Sequence, residues 1–162
     1  MKLAVIADTH LPRGSRRLPD ACLRRLAASD LILHGGDFSI VSVLEELSEL
    51  APVVGVLGNN DEPELAALLP ERRVVEVEGV RIGMVHDGGR RAGRGARLVQ
   101  LFPECNALVY AHSHVPEIGR EGATWILNPG SPTQRRRSPA RSMIELVVGS
   151  GGLRPKLVTF EP

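Results

Sequence analysis

The chain has 162 residues, 43% of them hydrophobic and 24% charged, with 20 basic and 19 acidic side chains for a formal net charge of +1. That length and apolar share suit one globular domain over residues 1–162, and the even charge balance favours no polyanionic partner. Aromatic residues are only 3% of the total, which argues against a stacking platform for single-stranded nucleic acid. Cys22 and Cys105 are too few for a disulfide scaffold or a zinc ribbon.

Apolar runs and helical spacings alternate through the first half. Residues 3–7 read as a buried strand that stops at Asp8. The run is too short for a signal segment or a membrane span, so a cytoplasmic protein is expected. Cys22, Leu23, Leu26 and Ala27 have helical spacing, with Pro19 near the start. Residues 31–33 form a second strand. Ile40, Val43, Leu44 and Leu47 define a second helix with Ser39 as its N-cap. Residues 53–57 form a third strand, and a short helix around Leu65, Leu68 and Leu69 ends before Pro70. This βαβαβ order predicts parallel strands with right-handed crossovers. The second half is richer in strand. Residues 73–77 and 80–85 flank Glu78-Gly79 as a hairpin. Residues 88–95 form an Arg- and Gly-rich surface loop, and Ala96, Val99 and Phe102 suit a helix. Residues 107–110, 124–127, 142–147 and 154–160 supply the remaining strands, the last two joined by a turn at Ser150-Gly151-Gly152.

The polar residues with metal-binding chemistry follow these strands. Asp8 and His10 follow the first, Asp37 the second, and Asn59, Asn60 and Asp61 the third. His86 and Asp87 follow the strand ending at Val85, and His112 and His114 the one through Tyr110. In an extended segment residues i and i+2 point the same way, so Asp8/His10 and His112/His114 read as two-pronged ligands. Carboxyl ends of parallel strands gather at one sheet edge, where ligands bind. Nitrogen and oxygen donors together suit manganese, iron, nickel, cobalt or zinc better than calcium or magnesium. The donors are too many for one ion, so two are expected, about 3.5–4 Å apart, with a carboxylate such as Asp37 bridging them.

The order Asp-x-His, Gly-Asp, Gly-Asn-x-Asp, His and (Gly/Ala)-His-x-His resembles the calcineurin-like metallophosphoesterase superfamily over residues 3–131. The short length and Asn128-Pro129-Gly130-Ser131 are similar to its small prokaryotic phosphodiesterase branch. The resemblance implies an α/β fold, a four-layer αββα sandwich with two central mixed β-sheets. It also implies two divalent metal ions, manganese first, with nickel, iron, cobalt or zinc as alternatives. One ion would take Asp8, His10, Asp37 and His114, and the other Asp37, Asn59, His86 and His112. The implied reaction is hydrolysis of a small-molecule phosphate ester, a diester above all, by a metal-bridging hydroxide. Nucleic acid enters only as a substrate, no membrane is involved, and a homo-oligomer is compatible with the resemblance.

Asn60 and Asp61 occupy the motif's catalytic positions, with Asp61 expected to orient a neighbouring group or to cap the following helix. Asn60 stands where the family has His or Cys and cannot act as an acid toward the leaving group, so esters with good leaving groups are the expected substrates. Asp87 replaces a common Gly and is a candidate extra ligand. His10 and His112 are candidate phosphate contacts. Arg135, within the run Arg135-Arg136-Arg137, is a candidate bidentate ligand of a distal phosphate, and Arg90, Arg91, Arg94 and Arg97 form a second basic group. The alternative reading is a non-catalytic protein-interaction scaffold on the same fold, like the retromer scaffold subunit.

Overall fold

The computed structural model describes residues 1–161. Its first half runs β1 (Lys2–Ile6), α1 (Asp20–Ala27), β2 (Leu31–His34), α2 (Val41–Leu50), β3 (Val53–Gly55) and α3 (Pro63–Ala66). The second half is β4 (Arg72–Val77), β5 (Val80–Val85), α4 (Arg94–Leu101), β6 (Ala107–Val109), β7 (Glu117–Glu121), β8 (Thr124–Asn128), β9 (Arg141–Gly149) and β10 (Gly152–Phe160). The strands form two five-stranded mixed sheets, ordered β10-β9-β1-β2-β3 and β4-β5-β6-β8-β7. Strands β1, β2 and β3 are parallel, with Ile6 opposite His34 and His34 opposite Gly55. Strands β5, β6 and β8 are parallel in the other sheet.

Strand alternation builds the layers. In β1, Leu3 and Val5 enter a core with Ile82, Met84, Ala107, Val109, Leu127, Ile144 and Leu146, which lies between the sheets. Ala4 and Ile6 point the other way, toward Cys22 and Leu26 of α1, Val43 and Leu47 of α2, and Leu65 of α3. On the far side, Leu108 and Tyr110 pack with Leu98 and Phe102 of the α4 segment. Helices, sheet, sheet and helix therefore form four layers around three apolar cores, as period-2 side-chain alternation requires.

Several local expectations need correction. Ser39 does not cap α2; it sits at φ 99° and Ile40 is the N-cap, with no side-chain cap of its own. The α2 terminus is satisfied from a distance instead, by Val41 N–H donating to Glu62 Oε1 at 2.8 Å. Strand β3 stops at Gly55: Val56 N–H still donates to His34 O at 3.1 Å, but the next donor on β2's side, Gly36 N–H, goes to His34 Nδ1 at 3.1 Å. Strand β7, absent from the sequence reading, pairs antiparallel with β8 through Glu117–Glu121, a stretch whose only large apolar residue is Ile118. Both cysteines are buried and free. Among the described residues no helix is long and apolar enough to cross a membrane.

Candidate metal centre

The segments after β1, β2, β3, β5 and β6 converge where the carboxyl ends of the two parallel sets meet. They do not leave as extended chain. Asp8 (φ 52°), His10 (φ 45°), Asp37 (φ 62°), His112 (φ 70°) and His114 (φ 60°) all occupy the left-handed region. Side chains at Asp8/His10 and His112/His114 therefore converge through tight turns, not through the i, i+2 geometry of a strand. Such conformations cost on the order of 1–3 kcal/mol each in non-glycine residues and persist where the surroundings over-determine them. Here the surroundings do so: Asp8 N–H donates to Gly36 O and His10 N–H to Asp37 O, each at 3.0 Å, and Ala111 N–H to His86 O at 2.8 Å.

The donor atoms face one another. Asp8 Oδ1 lies 3.8 Å from His10 Nε2, 3.9 Å from His86 Nε2 and 3.5 Å from His114 Nε2. Asp37 Oδ2 is 3.4 Å from both His10 Nε2 and His86 Nε2. His10 Nε2 and His114 Nε2 approach to 3.3 Å. Asn59 Oδ1 is 2.9 Å from His86 Nε2 and 3.0 Å from His112 Nδ1. Two groups of donors, Asp8-His10-His114 and Asp8-Asp37-His86, are compact enough to hold an ion.

Most of these separations fit cations; those of Asp8 Oδ1 from His10 and His86 are somewhat longer. Nitrogen and oxygen donors about 2.1 Å from one ion stand roughly 3–3.5 Å from each other. Asp8 Oδ1, which faces the cluster, is buried with no hydrogen-bond partner, a condition that costs free energy unless a ligand relieves it. His86 Nδ1 lies 2.8 Å from Gly35 O, so it carries a proton and donates there, and Nε2, which donates to Asp37 while the imidazole is charged, offers its lone pair to a cation once that proton is displaced.

Burial sets the protonation of the group. It pushes the Asp8 carboxyl up to about 7, with Asp37 adding to the rise while His86 and Arg136 oppose it. Burial likewise pulls His114 down to about 3, aided by the charges of Arg136 and His10, and lowers His10. Asp37 goes the other way. Burial would raise it, but hydrogen bonds from His86 and Asn60 hold it far below the usual carboxylate range. His86 is disfavoured as a cation by burial and still raised, because the hydrogen bond and charge of Asp37 outweigh that cost.

The second half of the Gly-Asn-x-Asp motif positions Asp37. Asn60 N–H donates to Asp37 Oδ1 at 2.8 Å and Asn60 Nδ2 to Asp37 Oδ2 at 2.9 Å. Asp61 Oδ2 accepts from Asp37 N–H at 3.2 Å and Gly58 N–H at 2.7 Å, and Asp61 Oδ1 from Ser39 N–H at 2.9 Å. Asp61 therefore clamps the turn that carries Asp37. It is not the N-cap of α3, which is Glu62. Space is equally restricted: a Cβ at Gly58 would collide with Asp37, and one at Gly36 would lie 2.8 Å from His86 Nδ1.

Residues 128–133 close the site from the second half. Asn128 Nδ2 donates to Ser113 Oγ at 3.1 Å, bracing the turn between His112 and His114. Ser131 Oγ donates to Asp8 O and Thr133 Oγ1 to Thr9 O, both at 2.8 Å. His34, the last residue of β2, is fully buried and stacks on Phe38. Its Nδ1 accepts Gly36 N–H at 3.1 Å, and burial lowers its pKa to about 3. It is a neutral structural imidazole. Asp87 is not aimed at the cluster; it is exposed and accepts Gly89 N–H at 2.8 Å. Arg94 and Arg97 are spent on the loop between β5 and α4, Arg94 on Gly89 O and Tyr110 Oη, Arg97 on Ala92 O and Arg90 O. Arg135 is exposed. The arginine of that run whose charge reaches Asp8, His10 and His114 is Arg136.

Fold and donor set together define an α/β sandwich with a candidate metal centre at the meeting edge of its sheets. Residues 1–150 match the calcineurin-like phosphoesterase superfamily domain, and the chain belongs to that superfamily. It is 35% identical over 151 residues to a probable metallophosphoesterase of Methanothermobacter thermautotrophicus, covering 92% of this chain and 87% of the relative. A Thermotoga maritima protein solved by NMR superposes with a TM-score of 0.77 at 31% identity, over 98% of this chain and 99% of the other. Wild-type Vps29 from Entamoeba histolytica, solved in complex with zinc, superposes with a TM-score of 0.76 at 27% identity, over 99% of this chain and all of the other.

Proposed function

We propose that the chain is a binuclear metal-dependent phosphodiesterase. The observation that carries this reading is the ring of imidazole nitrogens around buried carboxylate oxygens, with Asp8 Oδ1 left unpartnered at its centre. In this reading Asp8, His10, Asp37 and His114 hold one cation, and Asp37, Asn59, His86 and His112 hold the other. The equal 3.4 Å spacing of Asp37 Oδ2 from His10 and His86 supports Asp37 as the shared ligand. The mixed donors suit manganese, with nickel, iron, cobalt or zinc as substitutes.

A cation pair supplies Lewis acidity and an activated water near neutral pH. The chain contributes orientation. Asn60 fixes both carboxylate oxygens of Asp37, and Asp61 fixes the backbone on either side of it. In this reading His10 and His112 also contact the bound phosphate. Asn60 has no acidic proton to give, so the departing oxygen leaves without help from that position. The test is hydrolysis of bis(p-nitrophenyl) phosphate by the purified chain with manganese. Chelation and Asp37→Ala are each expected to abolish turnover; activity that survives both would overturn the reading.

The likeness to Vps29 favours one second reading, a protein-interaction scaffold that retains the metal-binding residues. It predicts bound metal with no hydrolysis of any phosphate ester across a panel of metals.

A further inference from the structure

Among the described residues, three arginines beside the candidate metal centre have no side-chain hydrogen-bond or ion-pair partner. Arg13 and Arg16 lie in the segment after His10, joined by an isolated bridge in which Arg16 N–H donates to Arg13 O at 3.1 Å. Arg136 sits at φ 47° in the loop strapped to the Asp8 and Thr9 carbonyls by Ser131 and Thr133. That loop is closed by Ser138 N–H donating to Arg135 O at 2.8 Å.

Among the described residues, none of these three guanidinium groups has a hydrogen bond or a carboxylate within ion-pair distance, whereas Arg25 pairs with Glu145 at 2.6 Å and Arg94 and Arg97 are bound to the loop. Arg16 Nη1 is buried and unsatisfied. The three cations act on one another and on the site. Arg16 is disfavoured as a cation by burial, then by Arg13 and Arg136. Arg136 and Arg16 both act on His10. Cations gathered with no carboxylate in ion-pair contact, one with a buried unpaired donor, form a binding surface for an anion with several oxygens.

We propose that Arg13, Arg16 and Arg136 form an anion subsite on the His10 side of the metal centre, so that the substrate is a phosphate ester carrying a second phosphoryl group. The substrate half of this proposal rests on the phosphodiesterase reading; the anion subsite does not. Two measurements separate them. Inorganic phosphate is titrated by calorimetry into the metal-stripped full chain, the Arg16→Ala/Arg136→Ala double variant, and Arg24→Ala, an exposed arginine of α1, as a charge control. Binding should weaken at least tenfold in the double variant and stay unchanged in the control. Kinetics with manganese then compare the p-nitrophenyl ester of thymidine 5′-phosphate with the same ester bearing a 3′-phosphate. The wild type should show about a tenfold lower KM for the doubly phosphorylated ester, a gap that closes in Arg16→Ala and in Arg136→Ala. Phosphate affinity indifferent to the arginines overturns the subsite. Equal KM values for the two esters in the wild type overturn the substrate assignment. Arginine-dependent phosphate binding with neither ester hydrolysed upholds the subsite and refutes the phosphodiesterase reading.

Discussion

Replacing Asp61 separates its two sequence-compatible roles. A helix N-cap tolerates Asn as well as Asp. A carboxylate clamping three backbone N–H groups does not. In Asp61→Asn, an amide oriented to keep its oxygen on Asp37 and Gly58 turns its NH2 toward Ser39 N–H, across what is now a 2.9 Å hydrogen bond. The opposite orientation sets the NH2 against two N–H groups. The better choice still leaves one donor unsatisfied, at about 1–2 kcal/mol for a half-buried site. Asp61→Ala removes the acceptor for all three. Hydrogen bonds to charged groups contribute about 1.5–3 kcal/mol each, but water refills part of the space, so a loss of about 3 kcal/mol is expected. With an m-value of about 2 kcal/mol/M for a chain of this size, that lowers the urea midpoint by about 1.5 M. Because the same clamp orients Asp37, metal affinity should fall about 10–100-fold in Asp61→Ala. The assays are urea unfolding of the metal-free protein and competition titration with a chromogenic chelator. An Asn variant within about 0.5 kcal/mol of wild type and with unchanged metal affinity would refute the clamp and restore the N-cap.

Further predictions concern the same pocket. Gly58→Ala drives a methyl into Asp37 and should cost about 1–3 kcal/mol or more together with metal affinity, whereas Gly149→Ala, with no atom within 4 Å of the new Cβ, should do neither; thermal melts with and without metal distinguish them. Metal binding requires Asp8 deprotonated, and burial holds that group near 7. Below that pH a proton competes with the cation, so apparent affinity should fall about tenfold per pH unit from this group and level off above it; titrations between pH 5.5 and 8.5 showing a flat or opposite trend would contradict it. The lack of an acid at Asn60 predicts a steep dependence of rate on leaving-group pKa, and comparable rates on aryl and alkyl diesters would show that a proton donor acts elsewhere.

The candidate donor residues were legible because strand ends are local signals: an apolar run followed by Asp, Asn or His. Parallel topology then states which ends meet. The manner of convergence was not legible, since nothing local distinguishes Asp8 or His112 in a left-handed turn from the same residue in extended chain. The turns exist because long-range partners such as Gly36 O and His86 O fix them. Ser39 looked like a cap because it precedes a helical pattern, yet Glu62, more than twenty residues away, does that work. Strand β7 escaped notice because its pairing with β8 is carried by backbone bonds over a polar stretch. Arg16 and Arg136 are likewise apart in sequence, and only the Ser131 and Thr133 straps reveal the second as a neighbour of the site.

Manganese titrated into the metal-free chain, followed by electron paramagnetic resonance, tests the two-cation centre most directly. Two equivalents bound per chain, with the spectrum of a coupled pair that Asp37→Ala reduces to isolated ions, are expected. One equivalent or none, or two ions that show no coupling, would contradict a centre bridged by Asp37.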